Sequence, residues 1–403
     1  MKFAHLADCH VGGWRDPKLR AANAKAFALA IEKCVQEKVD FVLIAGDLFN
    51  SAVPAIESLQ QVVEELVRLN QAGIPVYAIA GSHDFSPGGK TMLDVLESAG
   101  LLRNVVRGNV VDEKLHLEFT VDPKTGTKIA GMLGKKGGLE KNYYHELHTT
   151  HLEEAEGYKI FMFHTAIEEL KPKGMELMEG MAASLLPKNF QYYAGGHVHV
   201  VDHASVNERH NIVYPGPVFP NNFAELEKLQ HGSFCVVEQG NVQHIPLNPH
   251  PIVSVNINVD HKHAGQVEED IHEALEEKNV TNAIVTLRIE GMLKSGRTTD
   301  IPWEHIRTAI EQKGAYILLK NTSKLQTPEH IDTRIPDKSI EDIEQSIIDE
   351  TPAPFTLHTL EKDRALVKTL MQGFQQEKQE GERIIDFETR IIQSADQVLE
   401  END

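Results

Sequence analysis

Short apolar runs alternate with amphipathic stretches along roughly the first 245 residues. Lys2–Ala7 predicts a strand, Ala21–Glu37 a helix, Phe41–Ala45 a buried strand, Ala55–Ala72 a helix and Val76–Ala80 another strand. This βαβαβ rhythm argues for α/β layers. The spacing then loosens. Ile160–Phe163, Tyr192–Ala194, Ile212–Tyr214 and Gly232–Val237 read as short strands separated by turns. A two-sheet β-sandwich flanked by helices fits this better than one doubly wound sheet, so the fold class expected is α/β (α+β).

A second pattern begins near Pro249-His250-Pro251. Ile252–Val259, Ala283–Ile289 and Ala315–Lys320 alternate as strands, with amphipathic helices predicted over Gly265–Lys278 and Trp303–Gln312. The piece ends near Lys324 and is too small for an independent enzyme, so a small α/β cap is the natural reading. From Pro336 the pattern is helical and charged, with Thr351-Pro-Ala-Pro354 as a linker and helices over Leu360–Gln376 and Glu382–Leu399. The division expected is a catalytic domain over 1–248, a cap or specificity domain over 249–325 and a helical tail over 336–403.

Composition changes this picture little. The chain has 403 residues, 41% hydrophobic and 25% charged, as in ordinary globular proteins. The net charge of −20 disfavours a globally basic nucleic-acid binder. Asp337 to Asp403 carries 17 acidic and 7 basic residues, a net of −10, so a binding face elsewhere is closer to neutral. Three cysteines, Cys9, Cys34 and Cys235, without CxxC spacing imply neither a disulfide framework nor a zinc knuckle. With no signal-peptide pattern before the first strand and no apolar run of the roughly 18–20 residues a bilayer span needs, a cytoplasmic location is expected.

The chemistry sits at the strand ends. Asp8-Cys9-His10 follows the first strand, Gly46-Asp47 the second and Gly81-Ser82-His83-Asp84 the third. His164 ends Ile160–Phe163, and Gly196-His197-Val198-His199 follows Tyr192–Ala194. Carboxylates and neutral imidazoles suit borderline divalent metals. The C-terminal ends of strands are where α/β sheets place ligands. Any one motif alone reads more simply as a helix cap or a structural histidine. Five ligand-bearing motifs in this order, each at a strand end, point to two divalent metals sharing a carboxylate. Such a pair clamps the attacking and leaving oxygens of a phosphoryl transfer and activates a water, while an imidazole can stabilise or protonate the leaving oxygen.

The order D-x-H, G-D, G-N-H-D/E, H, G-H-x-H resembles the calcineurin-like metallophosphoesterases. Within that superfamily, FAHLADCH (Phe3–His10), AGDLF (Ala45–Phe49), GSHD and Tyr214-Pro215-Gly216 look like the SbcD-type DNA double-strand-break repair nucleases. The resemblance runs to about residue 245. It implies one metal on Asp8, His10, Asp47 and His199, a second on Asp47, His164 and His197, and a catalytic His83 that acts on the phosphate and leaving group. It implies Mn²⁺ as the ion. Ser82 stands where the family has an asparagine whose amide oxygen ligates the second metal, so weaker occupancy of that site is expected.

The resemblance also implies partners: DNA, a coiled-coil SMC-like ATPase of the SbcC type docking on the C-terminal helices, and a second copy of the chain. The helices Ala55–Ala72 and Thr91–Ala99 would meet in that homodimer, with Leu59, Val62, Val63, Leu66 and Leu69 as the apolar stripe. Periodicity alone turns this stripe toward its own sheet. Two other functions stand beside the exo/endonuclease: a small-nucleotide phosphodiesterase, disfavoured by Phe49-Asn50 where many superfamily members have a further Asp, and a weakly catalytic scaffold subunit, motivated by Ser82. Gly88-Gly89-Lys90-Thr91 is not a P-loop, since Asp84 occupies the position of the required glycine. His145, His148, His151, His261 and His263 read as surface histidines.

Overall fold

The computed structural model describes residues 1–86, 88–172, 174–175, 178–327, 366–367, 369–370, 373–374 and 384–400. Its strands are β1 (Lys2–Leu6), β2 (Phe41–Ala45), β3 (Val76–Ile79), β4 (Arg103–Asn104), β5 (Gly108–Val111), β6 (Lys114–Leu117), β7 (Thr120–Val121), β8 (Lys128–Gly131), β9 (Lys159–His164), β10 (Ala166–Ile167) and β11 (Gly180–Met181). They continue with β12 (Tyr192–Gly196), β13 (Val201–Val206), β14 (Arg209–Pro215), β15 (Gly232–Glu238), β16 (Asn241–Leu247), β17 (Ile252–Asn258), β18 (Ile284–Met292) and β19 (Ile317–Gln326). The helices are α1 (Pro17–Gln36), α2 (Ile56–Gln71), α3 (Met92–Ser98), α4 (Lys141–His145), α5 (Thr150–Glu154), α6 (Phe223–Leu229), α7 (Val267–Ala274), α8 (Trp303–Gln312) and α9 (Ile384–Glu400).

Two six-stranded sheets dominate. One has the order β16-β15-β1-β2-β3-β4, the other β13-β14-β12-β9-β8-β7. In the first, β1 to β4 are mutually parallel, and in the second β8, β9, β12 and β14 are. The sheets face each other across an apolar layer in which Phe3, Phe41, Leu43, Tyr77 and Ile79 meet Ile129, Ile160, Met162, Tyr192 and Val213. The other face of the first sheet packs on α1, α2 and α3 through Phe27, Ile31, Val62, Leu66 and Leu93. A strand covered on both faces has no polar side to show, so all five residues of β2, FVLIA, are buried.

The homodimer stripe is corrected here. Val62, Leu66 and Leu69 are fully buried in the chain's own core, with Leu59 and Val63 packed against it. The sheet supplies the apolar cover that a partner would otherwise give. Helix α1 starts earlier than its apolar pattern, because Asp16 caps Lys18 N at 2.8 Å and Pro17 opens the first turn.

Residues 1–325 form one compact unit. Within it, β17, β18 and β19 make a three-stranded sheet with its own core, including Val255, Val267, Ile271, Leu287, Ile306 and Ile310. Helix α7 is shorter than the expected Gly265–Lys278: its first residues form a 3₁₀ turn, and beyond Leu275 the residues Glu276, Glu277, Lys278 and Asn279 bury nothing. Strand β19 runs longer than expected, into residues too polar to show alternation. Residues 326–403 form a second unit, in which α9 matches the expected Glu382–Leu399 helix to within two residues at its start. The linker Thr351–Pro354 and most of the helix expected over Leu360–Gln376 lie outside the described residues. Among the described residues no helix is long and apolar enough to cross a membrane.

Candidate metal centre

The strand ends that carry the motifs converge. Asp8 N donates to Gly46 O (3.1 Å) and His10 N to Asp47 O (2.9 Å), so the loops after β1 and β2 run side by side. Asp8, His10, Asp47, His197 and His199 all have positive φ, at 50°, 43°, 52°, 97° and 50°. This backbone region is uncommon for side-chain-bearing residues and clusters at functional sites. Each turn ends a strand abruptly and leaves its side chain in the gap between the two sheets.

Asp8 is buried and accepts the His197 N–H on both oxygens, at 2.9 and 3.1 Å. Asp47 accepts the His83 N–H on Oδ1 at 2.7 Å, and its Oδ2 is 3.2 Å from His164 Nε2, 3.7 Å from His10 Nε2 and 3.4 Å from Ser82 Oγ. Two imidazole nitrogens, His10 Nε2 and His199 Nε2, stand 2.9 Å apart. His164 Nδ1 donates to Ala45 O at 2.8 Å, which turns Nε2 toward the carboxylates. His83 Nδ1 donates to Asn50 O at 2.8 Å, which leaves Nε2 as its free ring nitrogen.

Burial holds His10 and His197 neutral, with pKa values lowered to about 3 and about 4. Burial opposes the charge of Asp47, but the rings of His164 and His10 outweigh it and hold the carboxyl well below the usual range. Burial likewise opposes a charged His164, and Asp47 raises it to about 10.

These residues fit divalent metal ions. Three groups offer ligand atoms within 4.8 Å of one another: Asp8 with His10 and His199, Asp8 with Asp47 and His164, and His10 with Asp47 and His83. Buried His10 Nδ1 and His164 Nε2 have no well-aligned hydrogen bond, even though the latter is close to Asp47 Oδ2. A knot of lone pairs and carboxylates with too few protons between them is what a cation satisfies. His197 belongs to none of the three groups, although its ring centroid lies 5.1 Å from that of His164. Ser82 is buried beside Asp47.

The sequence profile of the calcineurin-like phosphoesterases matches residues 1–201. The chain belongs to the calcineurin-like phosphoesterases. Members of this family bind divalent metal ions, in keeping with the ligand groups above. This phosphoesterase is 31% identical over 237 residues to the DNA double-strand break repair protein Mre11 of Archaeoglobus fulgidus, across 57% of this chain and 52% of that protein. It is 30% identical to the protein of the same name from Methanopyrus kandleri over 235 residues, 56% of this chain and 51% of that one. Against that of Methanocaldococcus jannaschii the figures are 29% over 279 residues, 64% and 69%. The chain thus spans about half the length of the first two.

Two supports of the phosphoesterase site escaped the strand-end reading. Glu225 Oε1 accepts from His199 Nδ1 at 2.9 Å, which fixes the tautomer and leaves Nε2 for the centre. Its local signal is the spacing to Asn222, which caps α6 by accepting from Glu225 N at 2.9 Å. Asp84 accepts from Leu48 N (3.1 Å), Phe49 N (2.9 Å) and Gly81 N (3.0 Å), tying the loops after β2 and β3 together. The third motif shows where Asp84 stands, but not that its carboxylate reaches across to the backbone of Leu48 and Phe49.

Proposed function

We propose that the protein is a two-metal, Mn²⁺-dependent DNA exo/endonuclease that hydrolyses phosphodiester bonds as the nuclease subunit of a double-strand-break repair complex. The observation that carries the reading is the convergence of Asp8, His10, Asp47, His164 and His199 around a shared carboxylate, in a chain whose curated relatives are double-strand break repair proteins. One ion would rest on Asp8, His10, Asp47 and His199, the other on Asp47, His164 and His197, with Ser82 as a weak oxygen donor beside it.

Bound metal supplies charge neutralisation at the phosphate and an acidified attacking water. The protein's own groups do the rest. Asp8 and Asp47 are held rigidly by the His197 and His83 N–H groups. His83, anchored through Nδ1–H to Asn50 O, presents Nε2; as the imidazolium, its Nε2–H would hydrogen-bond the phosphate and pass its proton to the leaving oxygen, leaving the neutral ring.

The three-stranded unit over 249–325 is the proposed cap that shapes access for DNA, and the tail over 336–403 the proposed dock for an SbcC-type ATPase. A homodimer is proposed around α2 and α3, where Ile56 and Val95, outside the buried stripe, are exposed. Three unpaired buried cysteines support action in the cytoplasm.

The test is cleavage of DNA with defined ends in Mn²⁺ by wild type and His83→Gln. Nucleotide release by the wild type, falling by about 10²–10⁴-fold in the variant, is expected from loss of a general acid. Undiminished cleavage by the variant refutes the role of His83. Turnover confined to cyclic or dinucleotide substrates replaces the DNA reading with a small-nucleotide phosphodiesterase.

A further inference from the structure

The geometry points to a separate metal site, outside the strand-end cluster, formed by His116, His148 and His151 and suited to a Zn²⁺-class ion. One ring nitrogen of each lies within 4.8 Å of the others. The three come from different places. His116 lies on β6, His148 follows the bridge between Leu115 and Leu147, and His151 lies on α5. Backbone bonds set the register, with Leu115 N donating to Glu146 O at 2.8 Å and His148 N to Leu115 O at 2.9 Å. The rings are stacked nearly parallel, His116 and His148 at 4.3 Å between centroids, and His148 and His151 at 5.4 Å.

The tautomer of His151 decides the chemistry. Its Nε2 is 2.7 Å from Leu117 O, and a carbonyl only accepts, so Nε2 carries the proton. Nδ1 therefore holds a lone pair, and it faces His148 Nδ1 at 3.2 Å. This is how metal-ligating histidines are held: one nitrogen donates to a backbone carbonyl and fixes the ring, the other binds the ion.

Three imidazoles without a thiolate or carboxylate favour Zn²⁺, Ni²⁺ or Cu²⁺ over the oxygen-seeking Mg²⁺, Ca²⁺ and Mn²⁺. Three nitrogens leave a fourth, tetrahedral position for water. Since β6 ladders with β5 and meets the segment before α5 through the bridge at Leu115 and Leu147, the ion would add a further tie between this two-stranded hairpin and α5. His148 and His151, which read one at a time as surface residues, thus become a brace together with His116, which the sequence did not single out. The site shares no residue with the proposed nuclease centre, and its test is independent of that reading.

The full chain is stripped with chelator, equilibrated with Zn²⁺ and its bound metal counted beside the His116→Gln/His148→Gln double variant. The variant is expected to hold one Zn²⁺ fewer per chain while Mn²⁺-dependent hydrolysis of a nitrophenyl phosphodiester stays at the wild-type rate. Equal Zn²⁺ counts overturn the site. A second measurement needs no variant and decides the matter should the variant misfold. Diethylpyrocarbonate modification of the wild type is followed by peptide mass spectrometry with and without Zn²⁺. Ligated nitrogens are unavailable to the reagent, so Zn²⁺ is expected to slow modification of His116, His148 and His151 by about tenfold or more relative to exposed His210. Modification of the three at the same rate with and without Zn²⁺ overturns the proposal.

Discussion

Glu225 Oε1 accepts a hydrogen bond from His199 Nδ1 at 2.9 Å, and so orients a ring whose Nε2 stands 2.9 Å from His10 Nε2. The carboxylate is itself held by Asn221 N at 2.7 Å and the Asn222 side chain at 2.6 Å. Removing such a support commonly costs about 10–100-fold in metal affinity. Glu225→Ala is expected to weaken Mn²⁺ binding by about that factor, with hydrolysis recovering at high Mn²⁺. An isothermal titration that gives wild-type affinity would show that Glu225 serves α6 and not the centre.

Ser82 Oγ lies 3.4 Å from Asp47 Oδ2, where the resemblance places an asparagine amide. A hydroxyl is shorter and a poorer neutral ligand. Ser82→Asn is expected to tighten the weaker of two Mn²⁺ binding steps and to raise the rate at limiting metal. Metal titration and rate measurement on both proteins check this, and equal affinity and rate in the two would rule it out.

Gly81 has no room for a side chain. A Cβ there would sit 2.2 Å from Asp47 Oδ1 and 2.3 Å from Asp47 N. The second contact is with backbone, which cannot swing away. Gly81→Ala is expected to lower stability by about 1–3 kcal/mol, read from the urea midpoint, and to abolish metal-dependent hydrolysis because Asp47 is displaced. Retention of wild-type hydrolysis would contradict the proposed central role of Asp47.

Asp84 accepts three buried backbone N–H groups, those of Leu48, Phe49 and Gly81. Asp84→Ala leaves Leu48, Phe49 and Gly81 N–H unsatisfied. The expected loss is at least about 2 kcal/mol of stability. Denaturant unfolding checks it, and an unchanged midpoint would mean that water replaces the carboxylate at no net penalty.

The legible and the hidden parts of the site differ in their cause. Asp8, His10, Asp47, His164, His197 and His199 could be found because each ends an apolar run, and a run's end is a local property. His116, His148 and His151 could be counted but not grouped, because their proximity depends on the bridge between Leu115 and Leu147. Strands β4 to β8 went unread because they are short, and β4 to β7 are also poorly buried. All four residues of β5 are exposed, so no alternation marks them.

By itself the sequence determined the order of the well-buried strands and the longer helices that carry the site, since burial on one or two faces imposes a period of 3.6 or 2 on the apolar residues. It also determined which side chains stand at the C-terminal ends of the strands. The tertiary structure decided what those side chains meet. It turned the α2 stripe into the chain's own core, set Glu225 behind His199 and Asp84 beneath the loops, and gathered three histidines between β6 and α5. The reason is physical. Periodicity records only whether a residue is buried, whereas a ligand set or a buried hydrogen bond depends on which distant segment lies across the gap, and that follows from how two sheets pack and how five residues with positive φ, in the turns after β1, β2 and β12, direct their side chains into the space between them.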